Sequence, residues 1–301
     1  MISVRVGGSP DLARQGRARH KLFVEGHGDG LDVEALKIFL PMIDIEPMGP
    51  AHHLKSVATA LHPHHADYYF LVDRDHHDDQ TVENSWKNFP DTSRSNLLIW
   101  RKREFENYFL DPDYLQKSQW LKSTYKGKTG KAKLEQKILN FANQRIFMDV
   151  VNRVILKVRE DQKNTWIDLF SNPDKCKDKE MAKEALLGLE TFQKRSKDVS
   201  DSVNGCNLEK LFEEFFEELS GGCVPLSFGR GRWIDHMSGK ELLTQTINNC
   251  FQVKDSEGRE VEEGKIVIVE VVKDLMRLGI ESQPRDFQEL YRLIDQRTLG
   301  A

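Results

Sequence analysis

The stretch Tyr68-Tyr69-Phe70-Leu71-Val72-Asp73-Arg74-Asp75-His76-His77-Asp78-Asp79 decides how this chain reads: an unbroken apolar run stops at two aspartates one residue apart. A short continuous run rich in aromatic and β-branched residues, ended by polar ones, reads as a strand covered on both faces, as in a parallel sheet. Side chains alternate along an extended chain, so Asp73 and Asp75 point the same way if the strand geometry persists through them. Two carboxylates about 4 Å apart repel by on the order of 4 kcal/mol at an effective dielectric near 20. The pair therefore calls for a cation, a proton or a wider separation, and a hard divalent metal is the leading candidate.

Upstream, Lys21-Leu22-Phe23-Val24 is a second short apolar run, ending in Glu25-Gly26-His27-Gly28-Asp29-Gly30, and residues 31–40 (LDVEALKIFL) then carry helical apolar spacing. Glu25 is thus left at a strand end, beside glycines that allow tight turning. Residues 43–48 (IDIEPM) read as another strand, and 49–61 as a turn and helix leading to the Tyr68 run. Downstream, Asn96-Leu97-Leu98-Ile99-Trp100 is a further strand, followed by Arg101-Lys102-Arg103 and then Glu104-Phe105-Glu106-Asn107. Strands alternating with helices imply an α/β layer with a mostly parallel sheet, whose ligands bind beyond the carboxyl ends of the strands. Glu25, Asp73, Asp75 and the acids after Trp100 all fall at such ends.

From about Asp111 the character changes. Residues 117–137 hold seven lysines, with Trp120 and Tyr125 among them, and KGKTGK at 126–131 reads as a mobile loop. Helical patterns follow at 134–158, 164–170, 181–192 and 208–219. In the last, Leu208, Leu211, Phe212, Phe215, Phe216 and Leu219 form one apolar stripe, either core or a contact for a partner helix. Three parts result: an α/β core at 20–114, a mainly helical insertion with a basic loop at 115–225, and a C-terminal part at 226–301 that packs back on the core. In that last part Ser238 is a candidate helix cap with Glu241 three residues on, residues 266–278 form a buried helix or strand, and 284–294 an amphipathic helix. Residues 1–19 read as a polar arm carrying Arg14, Arg17 and Arg19.

The chain has 301 residues, 31 % of them charged, and a formal net charge of −4. Overall charge therefore does not make it a coat for nucleic acid, although a local basic groove remains open. No apolar run is long enough for a membrane span, and the N-terminus lacks the apolar segment of a secretory signal, which points to the cytosol. Four separated cysteines show no CxxC spacing and fit reduced thiols.

Brought together, Glu25, Asp73 and Asp75 offer three hard oxygen ligands. Mg²⁺ or Mn²⁺ suits such a set, and around a phosphodiester it stabilises developing charge and activates a nucleophile. Lys240, Arg101 and Arg103 are candidates to neutralise phosphate oxygens, and Asp78 and Asp79 could join a second metal. Seven of the ten histidines, His52, His53, His62, His64, His65, His76 and His77, crowd into residues 52–77. They read as a solvated loop, with His76 or His77 as a possible general base and without a recognised zinc ligand set. The lysine-rich segment, with Lys122, Lys126, Lys128 and Lys131, suits either a nucleic-acid backbone with aromatic stacking or a solvated helix face.

The residues FVEGHGD around Glu25 and FLVDRDHHDD around Asp73 and Asp75 resemble the TOPRIM domain of topoisomerases, primases and OLD-type nucleases. The continuation WRKREFENYFLDPDYL, with Glu104, Glu106 and Asn107, is similar to the DUF4435 branch of these proteins, and SGKELL with Lys240 resembles its later GK motif. Size and layout are similar to the TOPRIM effectors of PARIS anti-phage systems. The TOPRIM likeness covers roughly 20–112, and the fuller likeness spans most of the chain but is less specific at 115–225. It implies a Rossmann-like core and a Mg²⁺-dependent nuclease. It further implies a homodimer that cleaves host tRNA once released from an SMC/ABC-type, AriA-like ATPase. Under it Glu25 is the acid/base or a metal ligand, Asp73 and Asp75 are metal ligands, and Glu104, Glu106 and Lys240 are further catalytic candidates. Alternatives are a DNA nuclease of OLD type, a haloacid-dehalogenase-type phosphatase with its own DxD, or a non-catalytic binding subunit of an ATPase.

Overall fold

A computed structural model of the protein describes residues 20–26, 28, 30–49, 51–61, 64–75, 77–90, 96–163, 179–187, 190–261 and 264–299. The expected arm at 1–19, the helix expected at 164–170, and His62 and His76 lie outside them, as do the side chains of His52 and His53.

Four strands, β1 (Lys21–Val24), β2 (Asp44–Pro47), β3 (Tyr68–Val72) and β4 (Leu97–Ile99), form one all-parallel sheet in the order β2-β1-β3-β4. Lys21 pairs with Asp44 on one side and Tyr68 on the other, and Val72 pairs with Ile99. Helices α1 (Leu31–Phe39), α2 (Ala51–Leu61) and α3 (Asp79–Asn88) make the connections. The apolar runs explain the layer: Leu22, Phe70, Leu71, Val72 and Leu98 are all buried. Removing each such side chain from water contributes roughly 1.5–3 kcal/mol. The chain is thus α/β, with a parallel sheet flanked by helices and consistent with a Rossmann-like core plus a helical insertion.

The molecule divides into two compact units, Met1–Ala142 with Ile234–Ala301, and Asn143–Trp233. The first unit holds the sheet, the 3-10 turn Phe105–Phe109 and α4 (Pro112–Leu115). Residues 115–142, read from sequence with the inserted helices, fall in it too. Its C-terminal elements are α10 (Gly239–Cys250), α11 (Gly264–Met276) and α12 (Arg285–Leu299), with α9 (Trp233–His236) just before them. Phe287 of α12 sits in an aromatic cluster with Phe39, Trp100, Phe105, Tyr108 and Phe109. Residues 266–278, left open between helix and strand, are mainly helical, and Val267, Val271, Val272 and Leu275 are its buried stripe.

The expected loop at 126–131 is instead the start of α5 (Gly127–Lys163). Gly130 explains the difference, because a Cβ there would lie 2.2 Å from the Tyr125 carbonyl carbon. Glycine at 130 therefore lets the first helical turn seat directly on the 3-10 turn Ser123–Tyr125. Lys, Ala, Leu and Glu then favour helix onward, with Leu134, Ile138 and Ala142 fully buried.

The second unit contains α6 (Lys179–Leu187), α7 (Glu190–Ser202) and α8 (Gly205–Ser220). The Asn204 side chain caps α8 by accepting from Asn207 N at 2.8 Å, and Gly221 ends it in the left-handed region. Phe216 of the expected stripe stacks on Phe147, and Phe215 lies under the Arg153 guanidinium. The stripe is half-buried there, with Leu219 fully buried. Among the described residues no helix is long and apolar enough to cross a membrane.

Candidate active site

Strands β1 and β3 lie side by side at the middle of the sheet, with β2 outside one and β4 outside the other. Connections therefore diverge between them and leave a crevice past their carboxyl ends, the usual ligand position in open parallel sheets. Glu25 directly follows β1, and its N–H donates to Leu71 O at 3.3 Å, as if extending the ladder. Asp73 directly follows β3, and its N–H donates to Glu25 Oε2 at 3.4 Å. Two acids 48 residues apart thus meet because their strands pair.

The third wall is the turn Phe105–Phe109. Phe105 N donates to Asp73 Oδ1 at 3.3 Å. Glu104 caps the turn, with a reciprocal bond from its own N–H to Asn107 Oδ1 at 3.0 Å. Asn107 is fully buried and donates to Ile234 O at 2.6 Å and Met237 O at 3.1 Å. This brings α10 against the turn, where a Cβ on Gly239 would lie 2.4 Å from Asn107 Oδ1. Only glycine allows that approach. Lys240 N then donates to Glu104 Oε2 at 2.8 Å, and Lys240 Nζ stands 4.0 Å from Asp73 Oδ2. The expected capping box at Ser238 does not form: Ser238 has no side-chain bond to its own helix, and its hydroxyl instead lies 3.5 Å from Glu104 Oε2.

Charge in the crevice is unbalanced. Burial pushes the Asp73 carboxyl well above its usual range; Lys240 opposes this, while Glu106, Glu25 and Glu104 add to it. Glu106 is pushed up to about 7, chiefly by burial, against Lys240 and its own N–H. Asp32 in the first turn of α1 rises to about 6 by burial, with Glu25 adding and backbone N–H groups and Lys240 opposing. Lys240 itself is raised, because Glu106, Asp73, Glu104 and Asp32 together outweigh its burial. Lys240 thus acts on four carboxyl groups, and Glu25 adds a further negative charge beside Asp73 and Asp32.

All of these donors are hard oxygens with excess negative charge, which fits a Mg²⁺- or Mn²⁺-type cation in chemistry and charge. As the side chains stand, no three Asp, Glu, His or Cys groups among the described residues form a cluster that could hold an ion. Asp75 departs from the alternation argument. The strand ends at Val72, and Asp75 adopts φ 46° and is exposed.

The expected phosphate-binding cations are placed differently from one another. Arg101 is tied to Glu83 at 2.9 Å, Asp286 at 2.9 Å and Glu289 at 2.8 Å, and its guanidinium lies 4.0 Å above Trp86. It links β4 to α12 rather than facing Asp73. Arg103 donates to His236 O at 3.3 Å and lies 3.9 Å from Glu104. Lys122 and Lys126 bond to the carbonyls of Asn249 and Gln119, Lys131 pairs with Asp113, and Lys128 is exposed. Asp78 caps α3 through Thr81 N at 2.7 Å, and Asp79 pairs with buried Arg74. His65 stacks on Tyr68 and His20 bonds to the Tyr69 hydroxyl at 2.9 Å, both packing roles.

Asp32 is the site residue that sequence reasoning misses, and Arg74 is a buried structural cation it passes over. An acid in a first helical turn is ordinary dipole chemistry, and only the Gly-rich approach from Glu25 hints at Asp32. Arg74 sits between the two conspicuous aspartates, yet it turns inward to Arg101 O at 2.9 Å. Comparison with family models, with curated proteins and with solved structures gives no match to this chain.

Proposed function

We propose that the chain is a divalent-metal-dependent endonuclease of TOPRIM type, the cytosolic toxic effector of an anti-phage system. The observation that carries this reading is the meeting of Glu25, Asp73 and Lys240 past the ends of the two central parallel strands. Glu25 and Asp73, with Asp75 as the further ligand the resemblance implies, would hold a Mg²⁺ or Mn²⁺ ion, which would supply Lewis-acid stabilisation of the charge on the phosphoryl group. The chain's own groups do the rest. Lys240 offers an ammonium to a phosphate oxygen from an α10 terminus anchored on Glu104. Glu25, bonded to Asp73 N–H, is positioned to take a proton from the attacking water. Glu104 and Arg103 hold the turn that sets Asp73, and Glu106 meets the substrate beside it. Lys122, Lys126, Lys128 and Lys131, with Trp120 and Tyr125 near them in sequence, provide charge and stacking for a nucleic-acid backbone.

Host tRNA is the substrate under this reading. An SMC/ABC-type ATPase restrains the chain until infection, and a homodimer is the active form. Purified protein is expected to cut RNA only with Mg²⁺ or Mn²⁺, and Glu25→Ala to abolish cutting while retaining the wild-type circular dichroism spectrum. Sequencing RNA ends after expression in cells identifies the substrate: cuts confined to one tRNA anticodon loop, and missing in Glu25→Ala, are expected. Cutting of DNA alone shifts the assignment to an OLD-type nuclease, and metal-independent cutting sinks the reading.

A further inference from the structure

Beside the acid cluster opens a cavity of about 160 Å³, walled by Leu31, Leu243, Ile268 and Val269 and reached by Glu106 and Lys240. Glu106 is only 9 % exposed, and its Oε2 is buried and accepts no hydrogen bond. A buried carboxylate oxygen left without a donor is costly, so the site is built for a ligand that brings one. The hydrocarbon walls further specify a ligand with a flat apolar body. Lys240 borders the cavity and also stands 4.0 Å from Asp73, so the cavity adjoins the place where a phosphate would be cut. Exposed Lys265 lines the cavity too and adds positive charge for an anionic ligand.

We propose that this cavity is a nucleobase subsite. It takes one unstacked base next to the cleaved phosphodiester, with the base faces against Leu31, Leu243, Ile268 and Val269 and the exocyclic amino group donating to Glu106 Oε2. Adenine, cytosine and guanine carry that amino group; uracil lacks it and offers only its N3–H, flanked on both sides by carbonyl oxygens that the carboxylate repels. An unstacked base in a fitted pocket is how proteins read single-stranded RNA. The inference rests on the nuclease reading for the strand it serves, but the pocket can be tested without cleavage.

The probes are 5′-AMP, 5′-CMP, 5′-GMP and 5′-UMP, observed by saturation-transfer NMR with the full chain in the absence of metal and at alkaline pH, where Glu106 is a carboxylate. The three amino-bearing nucleotides are expected to bind about tenfold or more tighter than 5′-UMP, the scale of one buried hydrogen bond. Ile268→Trp and Val269→Phe, both at half-buried positions and checked for wild-type circular dichroism, are expected to lose that binding. Glu106→Gln, which can donate as well as accept, is expected to admit 5′-UMP. In parallel, oligoribonucleotides that vary the base beside the cut are digested with Mn²⁺, where the wild type should show the same preference and the filled variants should lose it. If the wild type cuts RNA but binds no nucleotide in the pocket, and both filled variants keep its base preference, the subsite is overturned and the nuclease stands. If Ile268→Trp abolishes nucleotide binding in a protein that cuts nothing, the subsite stands and the nuclease reading falls. Neither binding nor cleavage overturns both.

Discussion

Two charged clusters flank the same short segment after β4, and they are built on opposite terms. Around Arg101, one guanidinium is shared by three carboxylates and stacked on Trp86, so each charge has close, directional partners. Around Asp73, Glu106, Glu104 and Glu25 crowd one carboxyl whose nearest ammonium among the described residues, Lys240, stands 4.0 Å away, and one buried oxygen of Glu106 accepts no hydrogen bond. The first arrangement holds α12 to the sheet; the second costs stability where it stands. Charge imbalance that packing maintains is characteristic of sites with a ligand to receive. The difference lets each cluster be perturbed for its own consequence.

The largest effect is expected from Asp73→Asn. Removing one of the crowded carboxylates should reduce cleavage by about 10²–10³-fold or more while leaving the thermal midpoint unchanged or higher, because repulsion is relieved. A variant that unfolds instead would place Asp73 with the structural cluster. Arg101→Ala should do the reverse. Three carboxylates lose their counter-charge, and a loss of roughly 2–3 kcal/mol in urea unfolding is expected, less than for a fully buried pair because Arg101 remains 24 % exposed. A fall in oligonucleotide affinity beyond the fall in folded fraction would return Arg101 to the phosphate-binding set.

The acid cluster also predicts a pH dependence of the metal-free protein. Glu106 and Asp32 have folded pKa values raised to about 7 and about 6, above the ordinary carboxylate range. The folded state therefore holds protons that the unfolded chain has released. Their stabilising contribution is complete below the ordinary carboxylate pKa and is lost as pH rises through about 6 to 7. Thermal midpoints in chelator should accordingly fall between about pH 5 and 8, and Glu106→Gln should flatten the slope. The smallest effect is expected from Lys128→Glu, a roughly threefold to tenfold weakening of RNA binding that shrinks as salt is added.

Much of the central layer is written locally, which makes it legible. Tyr68–Val72 is apolar throughout because both faces are covered, and Glu25 and Asp73 stand out as the first polar residues after β1 and β3. Lys240 is visible through its motif, although the reason for the motif lies in the Gly239–Asn107 approach. Alternation misplaces Asp75 because it holds only while the chain stays extended, and a φ of 46° ends it. Arg101 looks like a phosphate ligand because Asp286 and Glu289, which claim it, lie 185 and 188 residues downstream. The helix begun at Gly127 is hidden by its own glycines, one of which serves a contact that composition does not encode.

The Lys240–Glu104 bond spans 136 residues, and the Asp73–Glu25 bond spans 48. During synthesis the two central strands can pair long before α10 exists, so the carboxylates assemble first and their ammonium arrives late. A chain still on the ribosome thus holds an incomplete site until residue 240 and the helix that seats it have emerged. Under the proposed nuclease reading, that order of emergence keeps the site without its ammonium until well after the central sheet has formed.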